Sequence, residues 1–116
     1  MTTAESRTLS VRIERPLAEV YAFLAEPKNF QSWAAGLDLE QRIVFTEQNP
    51  YGVVDHTVVL PQGQEVYVPM RAIRNGTGTE VLFTVFRQPE MTDDRFAEDT
   101  EAVQRDLLTL KRVLEH

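Results

Sequence analysis

Apolar and polar positions alternate from Thr8 to Glu14, with Leu9, Val11 and Ile13 on one side and Ser10, Arg12 and Glu14 on the other. A period of two marks a half-buried strand. Pro16 suits a first helical turn, and Leu17, Val20, Tyr21 and Leu24 then recur at helical spacing up to Pro27. A second short helix or turn carries Phe30 and Trp33 and stops at Gly36. From Leu37 the period returns to two, with Leu37, Leu39, Ile43 and Phe45 alternating with Asp38, Glu40 and Arg42. Asn49-Pro50-Tyr51-Gly52 punctuates as a turn, Val53 to Leu60 forms the next strand, and Pro61 to Gln64 a tight connection. Glu65 to Arg74 is a further strand, with Val66, Val68, Met70 and Ala72 on one face. Asn75-Gly76 predicts a hairpin turn in which both residues take positive φ, and Thr79 to Arg87 completes the strands before Pro89.

The last segment changes period again. From Thr92 to Glu115, Phe96, Val103, Leu107, Leu110 and Leu114 fall on one helical stripe, with Thr100 its polar member. Thr92 suits an N-cap, and Asp93 and Asp94 place negative charge at the positive end of the helix dipole. Glu101 and Arg105 form an i, i+4 pair worth about 0.3 kcal/mol. Burial of the stripe is worth roughly 1.5–3 kcal/mol per residue, so packing holds this helix. Its only large partner is the preceding sheet. A helix laid across a bent antiparallel sheet leaves space between the layers, and function is expected there.

The order predicts one α+β domain over residues 1–116: about five antiparallel strands, two short helices after the first, and a long C-terminal helix. With 116 residues, 42% hydrophobic and 26% charged, the chain is a soluble globular one. A net charge of −6 and the absence of a basic stripe disfavour nucleic acid. No apolar run approaches the roughly 20 residues of a membrane span. The N-terminus lacks a signal core and the chain has no cysteine, so a cytoplasmic location is expected.

Two terminal segments resemble a known family. Ser10 to Pro27, followed by Phe30-Gln-Ser-Trp33, resembles the start of a START-like, or SRPBCC, protein. Arg105 to Glu115 resembles its end, close to the polyketide cyclase/dehydrase branch. The resemblance implies a helix-grip fold, as in birch-pollen allergen proteins, with a bent sheet gripping the last helix over an apolar cavity. Members bind lipids, sterols, polyketides, plant hormones or ubiquinone-like molecules, and some catalyse cyclisation or dehydration. The family typically has six strands between the helix pair and the last helix, whereas four are counted here. One hairpin fewer shrinks or opens the cavity.

Candidate cavity residues are Phe30, Trp33, His56, Met70, Phe83, Phe96, Thr100, Val103 and Leu107. His56 shares the more apolar strand face with Val54, Val58 and Leu60, where an imidazole could donate to a ligand carbonyl or act as acid or base. A strand histidine with a local hydrogen bond is the plainer alternative. Trp33 and Phe30 suit a ligand gate or an anchor for the helix pair, and Met70 and Phe83 suit lining or plain core. Thr100 offers a hydroxyl, unless it bonds back one turn. Arg71 falls opposite Met70 and Ala72, toward solvent, while Arg87 stands near the cavity mouth. Asp93, Asp94, Glu98 and Asp99 read as a solvated face. No metal site, cofactor fingerprint or nucleophile–base motif is present in the sequence.

Val53, Val59, Leu82 and Phe86 make two strands apolar on both faces, which predicts a homodimer through the outer sheet face. Three functions fit: binding of a small hydrophobic molecule (lipid, polyketide or quinone-like), a cyclase/dehydratase-type enzyme using His56 and Arg87, or a dimeric interaction module with a filled cavity.

Overall fold

The computed structural model describes residues 2–34 and 42–116. Strand β1 (Ser6–Ile13) leads into α1 (Leu17–Ala25) and a 3-10 helix (Pro27–Ser32). Strands β2 (Arg42–Phe45), β3 (His56–Val59), β4 (Glu65–Val68), β5 (Met70–Asn75) and β6 (Gly78–Phe86) follow, and α2 (Asp93–Glu115) ends the order. The α+β class and the long terminal helix are as the periodicity predicts. Gly36 and the start of the second strand, Leu37 and Leu39, lie outside the described residues.

Among the described residues the strand pairings are antiparallel: β1-β6-β5 form one sheet and β2-β3-β4 another. The segment predicted as a single strand from Glu65 to Arg74 is two strands divided at Pro69, so six strands stand among the described residues where five are expected. Proline has no N–H for the ladder, and the chain changes partner at it. Before Pro69, β4 pairs with β3, and after it β5 pairs with β6. Backbone bonds bridge the two sheets, from Val54 N–H to Met70 O (2.9 Å) and from Ala72 N–H to Gly52 O (2.9 Å). Gly52 has φ +73°, and a Cβ there would collide with the Ala72 carbonyl, so only glycine permits this approach.

The hairpin at Asn75 differs in detail from expectation. Asn75 pairs with Gly78, leaving Gly76 and Thr77 as the two loop residues, and only Gly76 has positive φ (60°). That is the pattern with glycine at the first central position, in place of two left-handed residues.

Leu9, Val11, Ile13, Val81, Met70 and Ala72 face inward. There they meet Val20 and Leu24 of α1, Trp33, and Leu107 and Leu110 of α2 in one core cluster. Helix α2 runs along β1 on this inner side. Its C-terminal turns are tied to the β1–α1 junction: Arg15 Nε donates to Leu114 O (2.8 Å), Lys111 Nζ to Arg12 O (2.6 Å), and Glu14 N–H to the Glu115 carboxylate (2.7 Å). At the other end Thr92 accepts from Arg95 N–H (3.1 Å), the expected N-cap. Among the described residues no helix is long and apolar enough to cross a membrane.

Candidate functional site

Where β4 turns away from β6 at Pro69, the inner layer is not filled. A cleft of about 540 Å³ opens between the β3–β4 hairpin, the end of β6 and the N-terminal half of α2. The hairpin contributes Val58, Leu60, Val66 and Val68, and β6 contributes Phe83 to Phe86. Met91 and Pro89 close one side, and Ala102 and Val103 form the helix wall. Polar groups sit at the rim, where Arg95 Nε and Asp99 Oδ1 pair at 3.1 Å beside Gln64, Gln88 and Glu90. Glu90 has φ +69°, the only positive φ of a non-glycine residue among the described residues. An apolar trough with a polar lip suits a ligand that is apolar along most of its length.

Of the nine candidate residues, Phe83 and Val103 line this cleft. Phe96 is buried one turn away, its ring flanked by the guanidinium groups of Arg7 (5.8 Å) and Arg87 (5.9 Å). Thr100 Oγ1 donates to the Ala97 carbonyl (2.9 Å), the local bond weighed against a ligand role. Leu107, Met70 and Trp33 belong to the core cluster, and Phe30 packs on Trp33 with ring centroids 5.0 Å apart. The helical stripe therefore divides by function, with its middle and end in the core and its first half beside the cleft. Of the other cleft residues, Leu60 and Val66 were legible as apolar strand positions and Phe86 as part of a strand apolar on both faces, whereas Met91 and Ala102 carried no sequence signal of their own.

His56 faces inward as its strand alternation predicts, and it is only 2% exposed. The rings of Phe30 (5.4 Å), Phe45 (5.5 Å) and Phe83 (6.1 Å) surround it. Nδ1 lies 3.1 Å from the Val54 carbonyl, and Nε2 has no hydrogen-bond partner among the described residues. Burial pushes the imidazole pKa below its ordinary value, against the smaller opposing effects of the Val54 carbonyl and Asp55.

On the opposite face, Asp55 organises a cluster that the sequence did not single out. Arg71 binds it with both arms of its fork (Nε–Oδ1 3.0 Å, Nη2–Oδ2 2.9 Å), and Met70 N–H and Tyr67 OH each donate at 2.8 Å. Burial alone would raise the Asp55 pKa, but these donors outweigh it and hold it at about 2. Arg71 is on the solvent side as expected, with its charge engaged there. Arg87 is likewise engaged: it donates to Met91 O (2.7 and 3.0 Å) and pairs with Glu5 (3.1 Å) and Asp93 (2.7 Å). It fixes the loop beside the cleft, and its donors point into protein.

No family model matches the chain, and no curated protein does. Solved structures are similar in fold. DynU16, from the dynemicin biosynthetic locus, superposes with a TM-score of 0.73 at 15% identity, over 95% of this chain and 47% of that one. The chain thus spans less than half of that protein's length. CalU16 from Micromonospora echinospora gives a TM-score of 0.72 at 16% identity, over 95% of this chain and 74% of its own. The Aha1 dimer from Colwellia psychrerythraea gives 0.69 at 20% identity, over 96% of both chains. At these identities the likeness is one of fold: this chain has a helix-grip fold, with an antiparallel sheet packed on a long C-terminal helix, in common with these structures.

Proposed function

We propose that this protein binds a small hydrophobic molecule in the cleft between the β3–β4 hairpin, the end of β6 and α2. The observation that carries the reading is the 540 Å³ apolar trough, walled by Val58, Val66, Phe83, Phe86 and Val103 with charge only at its rim. Similarity to a protein of a biosynthetic locus supports a small-molecule role and leaves the ligand class open among lipids, polyketides and quinone-like compounds. Ligand binding to the folded state alone stabilises it by about 2.7 kcal/mol at a hundredfold excess over Kd. Thermal denaturation against a panel of those compounds should therefore raise Tm for at least one member. The same compound should give no rise in Ala102→Trp, whose indole fills the trough. A flat response of the native chain across the panel would remove the reading.

A second proposal concerns assembly. Val44, Thr57 and Tyr67 form one row across the outer face of β2-β3-β4, and Val44 and Tyr67 are each about half exposed. The similar Aha1 structure is a dimer. A homodimer through this face would cover the row, and light scattering at micromolar concentration should then give twice the chain mass.

A further inference from the structure

His56 stands directly behind the inner end of the cleft. In the second sheet the inward rungs are Ile43–Val58–Val66 and, one step deeper, Phe45–His56–Val68. Val58, Val66 and Val68 line the cleft, so the trough ends where the imidazole begins. Two strand steps, across Thr57, carry the chain from His56 to Val58, about 6.6 Å. Phe83 belongs to both places, as a cleft wall and as an edge-on neighbour of the His56 ring.

The ring's own bonding fixes its polarity. Nδ1 faces the Val54 carbonyl, which can only accept, so Nδ1 carries the proton of the neutral imidazole. Nε2 is then a bare lone pair, an acceptor with nothing donating to it among the described residues. A buried acceptor left unmatched is costly, and a phenylalanine would fill the same aromatic nest without that cost. A trapped water is a poor substitute, because it needs two or more polar partners and the rings of Phe30, Phe45 and Phe83 offer none.

We propose that His56 Nε2 is the polar anchor of the cleft, and that the ligand is an apolar molecule carrying a hydroxyl donor, a phenol or an alcohol, at its leading end. The hydroxyl reaches Nε2 when the Phe83 side chain turns aside, and the apolar body remains in the trough. This polarity is opposite to the one expected from sequence, where the imidazole donated to a ligand carbonyl. The proposal rests on the cleft being a binding site, and the test separates the two.

The test uses 2-naphthol and 2-methoxynaphthalene, which share a body and an oxygen but differ in the donor. With the intact chain labelled with 15N at histidine, 2-naphthol should bind about fivefold more tightly, the size of one net hydrogen bond. It should also move the His56 Nε2 resonance upfield while Nδ1 stays protonated. In His56→Phe the preference should disappear while 2-methoxynaphthalene still binds. Should that variant misfold, the nitrogen resonances of the native chain decide alone. Equal binding of the two probes with Nε2 unmoved would overturn the anchor and leave the cleft standing. So would an Nε2 resonance that is already hydrogen-bonded in the free protein and indifferent to 2-naphthol. Failure of both probes to bind would count against the cleft as a site for such bodies, and the anchor would fall with it.

Discussion

Asp55 shows how one residue can hold an irregular junction together. It lies just before β3, where the two sheets meet, and its carboxylate gathers Tyr67 of β4 and both Met70 N–H and Arg71 of β5. These donors lie on either side of Pro69, the point at which the strand changes partner. Removing the carboxylate strands a buried N–H and an arginine fork, so Asp55→Ala should cost about 2–3 kcal/mol. Arg71→Ala should cost about 1 kcal/mol, because the guanidinium is half exposed and water replaces part of its bond. Urea denaturation of the two variants checks the order. Asp55 was not legible as a keystone. In the sequence it is a single acid among Val54, His56 and Val58, and nothing in that spacing shows three donors arriving from two strands twelve or more residues away. His56 was legible as inward-facing, because alternation alone sets its side, but its tautomer depends on a carbonyl that only the fold supplies.

At the scale of elements, α2 has two halves with different roles. Its C-terminal half buries Leu107 and Leu110 completely and is clamped to residues 12–15, whereas its N-terminal half borders the cleft. Leu110→Ala should therefore cost about 3 kcal/mol, through lost burial and the void left behind. Val103→Ala, beside existing space, should cost under about 1.5 kcal/mol. Chemical denaturation midpoints compare them directly, and near-equal costs would contradict the division. The sequence showed the stripe but not this division, since Val103 and Leu107 are alike in period and type. What separates them is that Val103 lines the cleft whereas Leu107 is fully buried in the core cluster. Pro69 itself was visible in the sequence, yet a run of alternating residues on both sides concealed the change of partner there.

For the whole molecule, two groups on opposite faces of the sheet make acid stability depend on pH. The buried His56 has a folded pKa below the unfolded value of about 6.5, so protons favour the unfolded chain. Its contribution is complete above pH 6.5 and is lost as pH falls through that value toward the lower folded pKa. Asp55 acts further down: its contribution is complete above its ordinary 3.8 and is lost as pH falls through about 2. Stability should thus begin to fall below pH 6.5, with a slope of up to about 1.4 kcal/mol per pH unit. The urea midpoint measured at pH 7, 6 and 5 should drop for the native chain and stay level across that window in His56→Phe. A native chain indifferent to pH between 7 and 5 would mean that the imidazole is not held neutral.

The ties between residues 12–15 and 111–115 join the first strand to the last helix, about a hundred positions apart. During synthesis the inner side of β1 emerges early and waits for its cover until α2 has been made. Contacts so distant in sequence form slowly, and until they form, Val11 and Ile13 face water beside an incomplete sheet. The growing chain thus passes through a sticky, half-built stage that ends only when the last helix arrives, and that interval is when a chaperone would find most to hold.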